Sequence, residues 1–149
     1  MCWRDHHFGS PCKCPRLVTH HFVTALRLDA HQSSGHDASM LIFKIFRNDE
    51  WADLQRLSET EGAPIDVADG YIHFSTAETV KETADKYFSG VEGLVLCAVE
   101  ADTLEPLKWE PAREGVLFPH LYRKIRLSDI VWTKPLPFVD GQHQFPDLA

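Results

Sequence analysis

The chain has 149 residues, 44% of them hydrophobic and 25% charged, which reads as a single soluble globular domain and not a disordered one. A net charge of −7 argues against bulk binding to DNA or RNA, which needs clustered Lys and Arg, but leaves room for a local phosphate pocket. No stretch of about 18 apolar residues is present, so no membrane-spanning helix is expected.

The composition changes at Met40. Six of the nine histidines and three of the four cysteines precede it. Cys2, His6, Cys12, Cys14 and His20 are zinc-ligand types, but the one-residue gap in Cys12-Lys13-Cys14 is not the knuckle spacing and no second pair follows. Residues 1–39 are therefore expected to be a poorly ordered extension, upstream sequence read through to an internal start at Met40, with no metal. The body, residues 40–135, holds one cysteine, Cys97, inside an apolar run. That excludes a disulfide framework, suits a reducing cytoplasm and marks Cys97 as an ordinary buried residue.

Leu41 to Phe46 has the length and residue types of a buried strand. Asn48 is suited to cap a helix of about ten residues, with Asp49 and Glu50 in its first turn and Trp51, Leu54 and Leu57 on one face. Gly62, Pro64 and Gly70 punctuate a loop, and Tyr71 to Phe74 forms the second strand. Ser75-Thr76-Ala77-Glu78 matches a capping box that opens a helix carrying Val80, Ala84 and Phe88 and ending near Gly90. Leu94 to Val99 is expected to be a central strand, Leu107 to Glu110 a shorter one, Pro111 to Gly115 a loop and Ile130 to Trp132 the last strand. Residues 136–149 are expected to wrap the surface. The order predicts an α+β domain with a mostly antiparallel sheet and two helices.

Chemistry concentrates in two blocks. In Asp69-Gly70-Tyr71-Ile72-His73-Phe74-Ser75-Thr76, strand alternation puts Tyr71, His73 and Ser75 on one face. The expected helix behind Ser75 would offer free N–H groups to an anion. Downstream, Phe118-Pro119-His120-Leu121-Tyr122 places His120 and Tyr122 on a common side, after Trp109, Glu110, Arg113 and Glu114. Tryptophan could stack a planar ring, Arg113 could fork onto a phosphate, and a glutamate could act as a base or stabilise positive charge. Each residue also has a plain structural role: His73 bound to a backbone carbonyl, Ser75 a helix cap, the charges a solvated loop. The expected site is a hollow walled on opposite sides by His73 and His120.

These residues resemble a known family, the bacterial domain-of-unknown-function family 952. The likeness runs from about Met40 to Pro135. It lies in Ile42-Phe43-Lys44-Ile45, Glu50-Trp51, the run Pro64 to Thr76, Glu82-Thr83-Ala84, Trp109-Glu110-Pro111 and Leu117 to Tyr122. That family distantly resembles the ADP-ribosyltransferase superfold, including RNA 2′-phosphotransferases, whose apolar strand also carries His-hydrophobic-Ser before a helix. The resemblance implies a split antiparallel sheet around a cleft, and ADP-ribosyl or phosphoribosyl transfer on NAD or another phosphorylated nucleotide. His73, His120 and Glu110 become the catalytic candidates, with Glu114 the other candidate carboxylate. Tyr71, Ser75, Thr76, Trp109, Arg113 and Tyr122 become the ligand-binding candidates. Two departures from the superfold stand out: the first strand offers only Lys44 where His or Arg is usual, and the late acidic residue is not fixed between Glu110 and Glu114; within family 952 itself, Glu114 and Arg123 stand where glycine is commoner. A non-catalytic nucleotide-binding module on the same scaffold, or an interaction domain with structural histidines, fits the same residues.

Overall fold

The computed structural model describes residues 39–112 and 115–148. The extension expected over residues 1–39 lies outside the described residues except for Ser39, and so do Arg113 and Glu114 of the Pro111–Gly115 loop.

In chain order the elements are β1 (Leu41–Phe46), α1 (Asn48–Leu57), β2 (Glu59–Thr60), α2 (Pro64–Asp69), β3 (Ile72–His73), α3 (Val80–Tyr87) and β4 (Leu94–Glu100). There follow β5 (Leu107–Pro111), β6 (Leu117–Leu121), β7 (Ile125–Arg126), β8 (Ile130–Leu136), β9 (Phe138–Val139) and β10 (Gln142–His143). Every pairing is antiparallel. One sheet has the order β1-β4-β8 and the other β3-β6-β5, with β2-β7 and β9-β10 as small ribbons. The two main sheets meet where Ser75, just past β3, exchanges backbone hydrogen bonds of 2.8 and 2.9 Å with Phe43 of β1. The α+β class and the antiparallel sheet thus stand as expected, with three helices in place of two.

β1 and β4 are apolar without alternation because both of their faces are covered. Ile42, Phe46, Cys97 and Val99 face a core shared with Leu54, Ile72, Phe74, Leu121 and Ile125. Phe43, Ile45, Leu96 and Ala98 face a second core closed by Val80, Ala84 and Leu136. β4 is central, as expected, and burial pushes the Cys97 thiol up to about 12, an inert interior group.

Three local expectations are corrected. α1 is capped by Arg47, not Asn48, because Glu50 reaches back to accept the Arg47 N–H at 2.9 Å; Leu57, at its far end, is 53% exposed. The Gly62–Gly70 loop contains a helix: Pro64 begins α2 and Gly70, at φ +80°, ends it, the usual asymmetry of helix termini. Finally, Ser75 does not cap α3. The bridge to Phe43 holds it in extended pairing, Thr76 N–H is taken by Thr79 Oγ1 at 2.9 Å, and the helix begins at Val80.

Beyond Pro135 the chain does more than wrap the surface. Phe145 and Leu148 pack against the second core, and the buried His143 donates from Nε2 to the Phe88 carbonyl at 2.9 Å.

Candidate functional site

Antiparallel register sets the site. β3 and β6 pair Ile72 with Leu121 and His73 with His120. Ile72 and Leu121 are buried in the first core, so alternation sends both imidazoles to the opposite face. Their ring centroids lie 5.1 Å apart, edge to face. The histidines are cross-strand neighbours on one sheet face, not opposite walls of a hollow. Two clefts of about 600 Å³ lie elsewhere and include neither ring.

Tyr71 joins the pair: its ring stacks on His120 at 4.4 Å and stands 4.8 Å from His73 and 5.3 Å from Tyr122. Glu110, diagonal to His120 on β5, accepts from His120 Nδ1 at 2.8 Å and from the Tyr122 hydroxyl at 2.7 Å through the same Oε2. The bonds from His120 and then Tyr122 hold the Glu110 carboxyl below its ordinary range, and the bond to Glu110 pushes the Tyr122 phenol up. Lys108, opposite His120, places its ammonium 4.3 Å from the centre of the Tyr122 ring.

His73 is held from the other side. Asp66 on α2 accepts from its Nδ1 at 2.7 Å and from its backbone N–H at 3.0 Å, and Asp69 Oδ2 lies 3.3 Å from its Nε2. The second Asp66 oxygen accepts from Lys44 Nζ at 2.6 Å and Ala63 N–H at 2.7 Å. Burial would raise the Asp66 carboxyl, but these bonds and the ammonium outweigh it and hold it below its ordinary value. Burial pulls the Lys44 ammonium down, with Asp66 opposing.

The sheet face therefore carries His73, His120, Tyr71, Tyr122 and Glu110, all anticipated from sequence. Three other candidates are not brought to it. Trp109 projects from the reverse face of β5, where it lines a cleft with Met40, Leu104 and Pro106. Ser75 is buried with Oγ 3.1 Å from Thr83 Oγ1, and the Thr76 N–H is taken by Thr79 Oγ1, so the helix N-terminus expected directly behind His73 does not form there and α3 starts at Val80. Arg113 lies outside the described residues. His73 binds a carboxylate and not a backbone carbonyl. Asp66, Asp69 and Lys108 are not among the site residues expected from sequence, the two aspartates entering only as members of quoted blocks, and Lys44 figures only as a lone first-strand cation. The available signal was a pair of aspartates three apart between Pro64 and Gly70, one helix turn ahead of a histidine.

Among the described residues no group of His, Cys, Asp and Glu is arranged to hold a metal ion, and no helix is long and apolar enough to cross a membrane.

The fold and the paired histidines define an α+β domain with a split antiparallel sheet and a carboxylate-braced imidazole pair. The sequence profile of the family described as "Protein of unknown function (DUF952)" matches residues 45–133, and the chain belongs to that family. The chain is similar to protein CC0527 from Caulobacter crescentus. Against its crystal structure the identity is 45% and the TM-score 0.67, covering 70% of this chain and 93% of that one. Against its solution NMR structure the identity is 43% and the TM-score 0.63, covering 69% and 90%. No curated protein matches the chain.

Proposed function

We propose that the His73–His120 face is the working site of an ADP-ribosyltransferase-like enzyme that acts on NAD or a related phosphorylated nucleotide. One observation carries the reading: an ionised carboxylate, Glu110, shares a sheet face with two imidazoles and two tyrosine rings. Rupture of the nicotinamide–ribose bond sends its electron pair to the nicotinamide nitrogen and leaves positive charge on the ribosyl carbon. Carboxylates and aromatic faces stabilise such charge, and the nicotinamide ring before cleavage is itself a cation suited to Tyr71 and Tyr122. Because Glu110 can only accept, His120 carries its proton on Nδ1. Its Nε2, with no hydrogen bond among the described residues, is then available to take the proton of an attacking hydroxyl.

The test is incubation of the protein with NAD. Release of nicotinamide, lost in Glu110→Gln and His120→Ala, is the expected result; no binding of NAD by calorimetry and no release would end the proposal. His73→Ala is expected to abolish NAD binding with the fold retained. A second reading, a non-catalytic nucleotide-binding module, is favoured by one contact: the only cation of the first strand, Lys44, is engaged with Asp66 and offers nothing to a ribose. A thermal shift with NAD but no nicotinamide release would select it.

A further inference from the structure

We propose that Lys108 is the specificity-determining residue of this face. Its ammonium lies over the Tyr122 ring and yields that ring readily only to a ligand cation that brings its own phosphate. The ligand class is then an N-ribosyl pyridinium with a 5′-phosphate, not a bare organic cation. The inference rests on the reading of the face as a nicotinamide-nucleotide site and deepens it.

Register puts Lys108 where it can act. It pairs with His120 across β5 and β6 and lies two residues from Glu110, so the three side chains share one sheet face. The two tyrosine rings of that face are not equally open. Tyr71 stacks on His120 at 4.4 Å and stands against His73 and Tyr122 at 4.8 and 5.3 Å. Tyr122 is 37% exposed, and over it sits the Lys108 ammonium, 4.3 Å from the ring centre. There a positive charge is attracted by the ring quadrupole. The place suited to a ligand's pyridinium is thus filled by a cation of this chain.

That cation is displaceable. Lys108 is exposed, and among the described residues no carboxylate forms an ion pair with it. Glu110, the acid two residues along, has its Oε2 engaged by His120 and Tyr122. Lys44, by contrast, is tied to the buried Asp66. Two cations on one ring face repel, so an incoming pyridinium must drive the ammonium off. For a bare cation nothing offsets that loss. In a nucleotide, the phosphate on the ribosyl 5′ carbon is held a few bonds from the pyridinium. It can accept a charge-assisted hydrogen bond from the displaced ammonium. Lys108 therefore opposes the first ligand and favours the second.

The test compares two ligands with the same cation. Nicotinamide riboside has the pyridinium and ribose without phosphate; NAD adds the diphosphate. Lys108→Met should bind nicotinamide riboside about two- to five-fold more tightly, the scale of a cation–π contact at an exposed site. It should bind NAD about three- to thirty-fold more weakly, since the lost charge-assisted hydrogen bond outweighs the same relief. Lys108→Arg keeps the charge and should keep the wild-type preference. Calorimetry measures NAD, and shifts of the Tyr122 ring protons follow the weaker riboside. Effects of the same sign on both ligands, or no effect on either one, would overturn the proposal. The enzyme reading fails separately. A wild type that binds both ligands with these opposed shifts, yet releases no nicotinamide, would refute it and leave the Lys108 role standing. A wild type that cleaves NAD, with Lys108→Met binding it equally well, would do the reverse. Binding of neither ligand would end both.

Discussion

The two imidazole–carboxylate pairs are alike in length, 2.7 Å for His73–Asp66 and 2.8 Å for His120–Glu110, and opposite in setting. The Asp66 side chain is wholly buried and shares its charge with a buried ammonium, whereas Glu110 is 38% exposed and answers to a tyrosine. Equal geometry therefore carries unequal energy. Asp66 is welded into the fold, since removing this carboxylate strands the Lys44 ammonium in a dry interior. The exposed pair can be made and broken at little cost to the fold, and so it can respond to a ligand. The site joins a fixed half to an adjustable one.

The comparison breaks first at Asp66. Asp66→Ala leaves Lys44 buried without a counter-charge, and breaking a buried pair this way typically costs about 3–5 kcal/mol. Urea unfolding measures it; a loss near that of an ordinary surface substitution would mean that water reaches Lys44. Acid is the next lever. Asp66 titrates below its ordinary value in the folded chain, so its contribution is present above the unfolded carboxylate pKa of about 3.9 and is lost as pH falls through the lower folded value. Asp129 behaves alike: burial raises it, but Arg123 at 2.7 Å and the Arg126 N–H outweigh that. Urea midpoints should therefore drop steeply below about pH 4, and Asp129→Asn should remove part of that drop while Asp66 keeps the rest. A midpoint indifferent to pH in that window would deny both carboxylates their role. Smaller still is Tyr71→Ala, which deletes the ring lying against both imidazoles; the loss of stacking is worth about 0.5–1.5 kcal/mol beyond the buried area, again by urea unfolding.

The legible part of the fold follows from period and residue type. Leu41–Phe46 and Leu94–Val99 are apolar runs that only a doubly covered strand tolerates, and both are found where expected. His73, His120, Glu110, Tyr71 and Tyr122 stood out as uncommon types crowded into two blocks, but no spacing rule states that β3 and β6 are paired, and register is what sets the rings side by side. Ser75 misled because a serine followed three residues later by a glutamate satisfies the capping pattern while its backbone is claimed by β1, a tertiary contact invisible to local rules. α2 is hidden in the sequence because Pro64 and Gly70, residues that punctuate loops, are here the two ends of a six-residue helix. Trp109 erred by one position: next to Glu110 in sequence, it is on the other side of the sheet by alternation.

The smallest expected effect sharpens the comparison most. Glu110→Gln should leave the urea midpoint where it is, since Glu110 is itself 38% exposed and its neutralisation strands no buried charge. Its signature lies in Tyr122, whose phenol is raised chiefly by donating to that carboxylate. An amide in its place accepts a weaker bond and repels no phenolate, so Tyr122 should titrate closer to an ordinary tyrosine, a downward shift read by ultraviolet difference titration. The corresponding change on the buried side, Asp66→Asn, cannot be so quiet: four donors would meet one carbonyl oxygen and a competing amide N–H₂. If Glu110→Gln unfolded the chain as readily as Asp66→Asn, the division into a fixed half and an adjustable half would be lost. If it leaves the fold intact and moves Tyr122 alone, Glu110 is a carboxylate held in place for something other than stability.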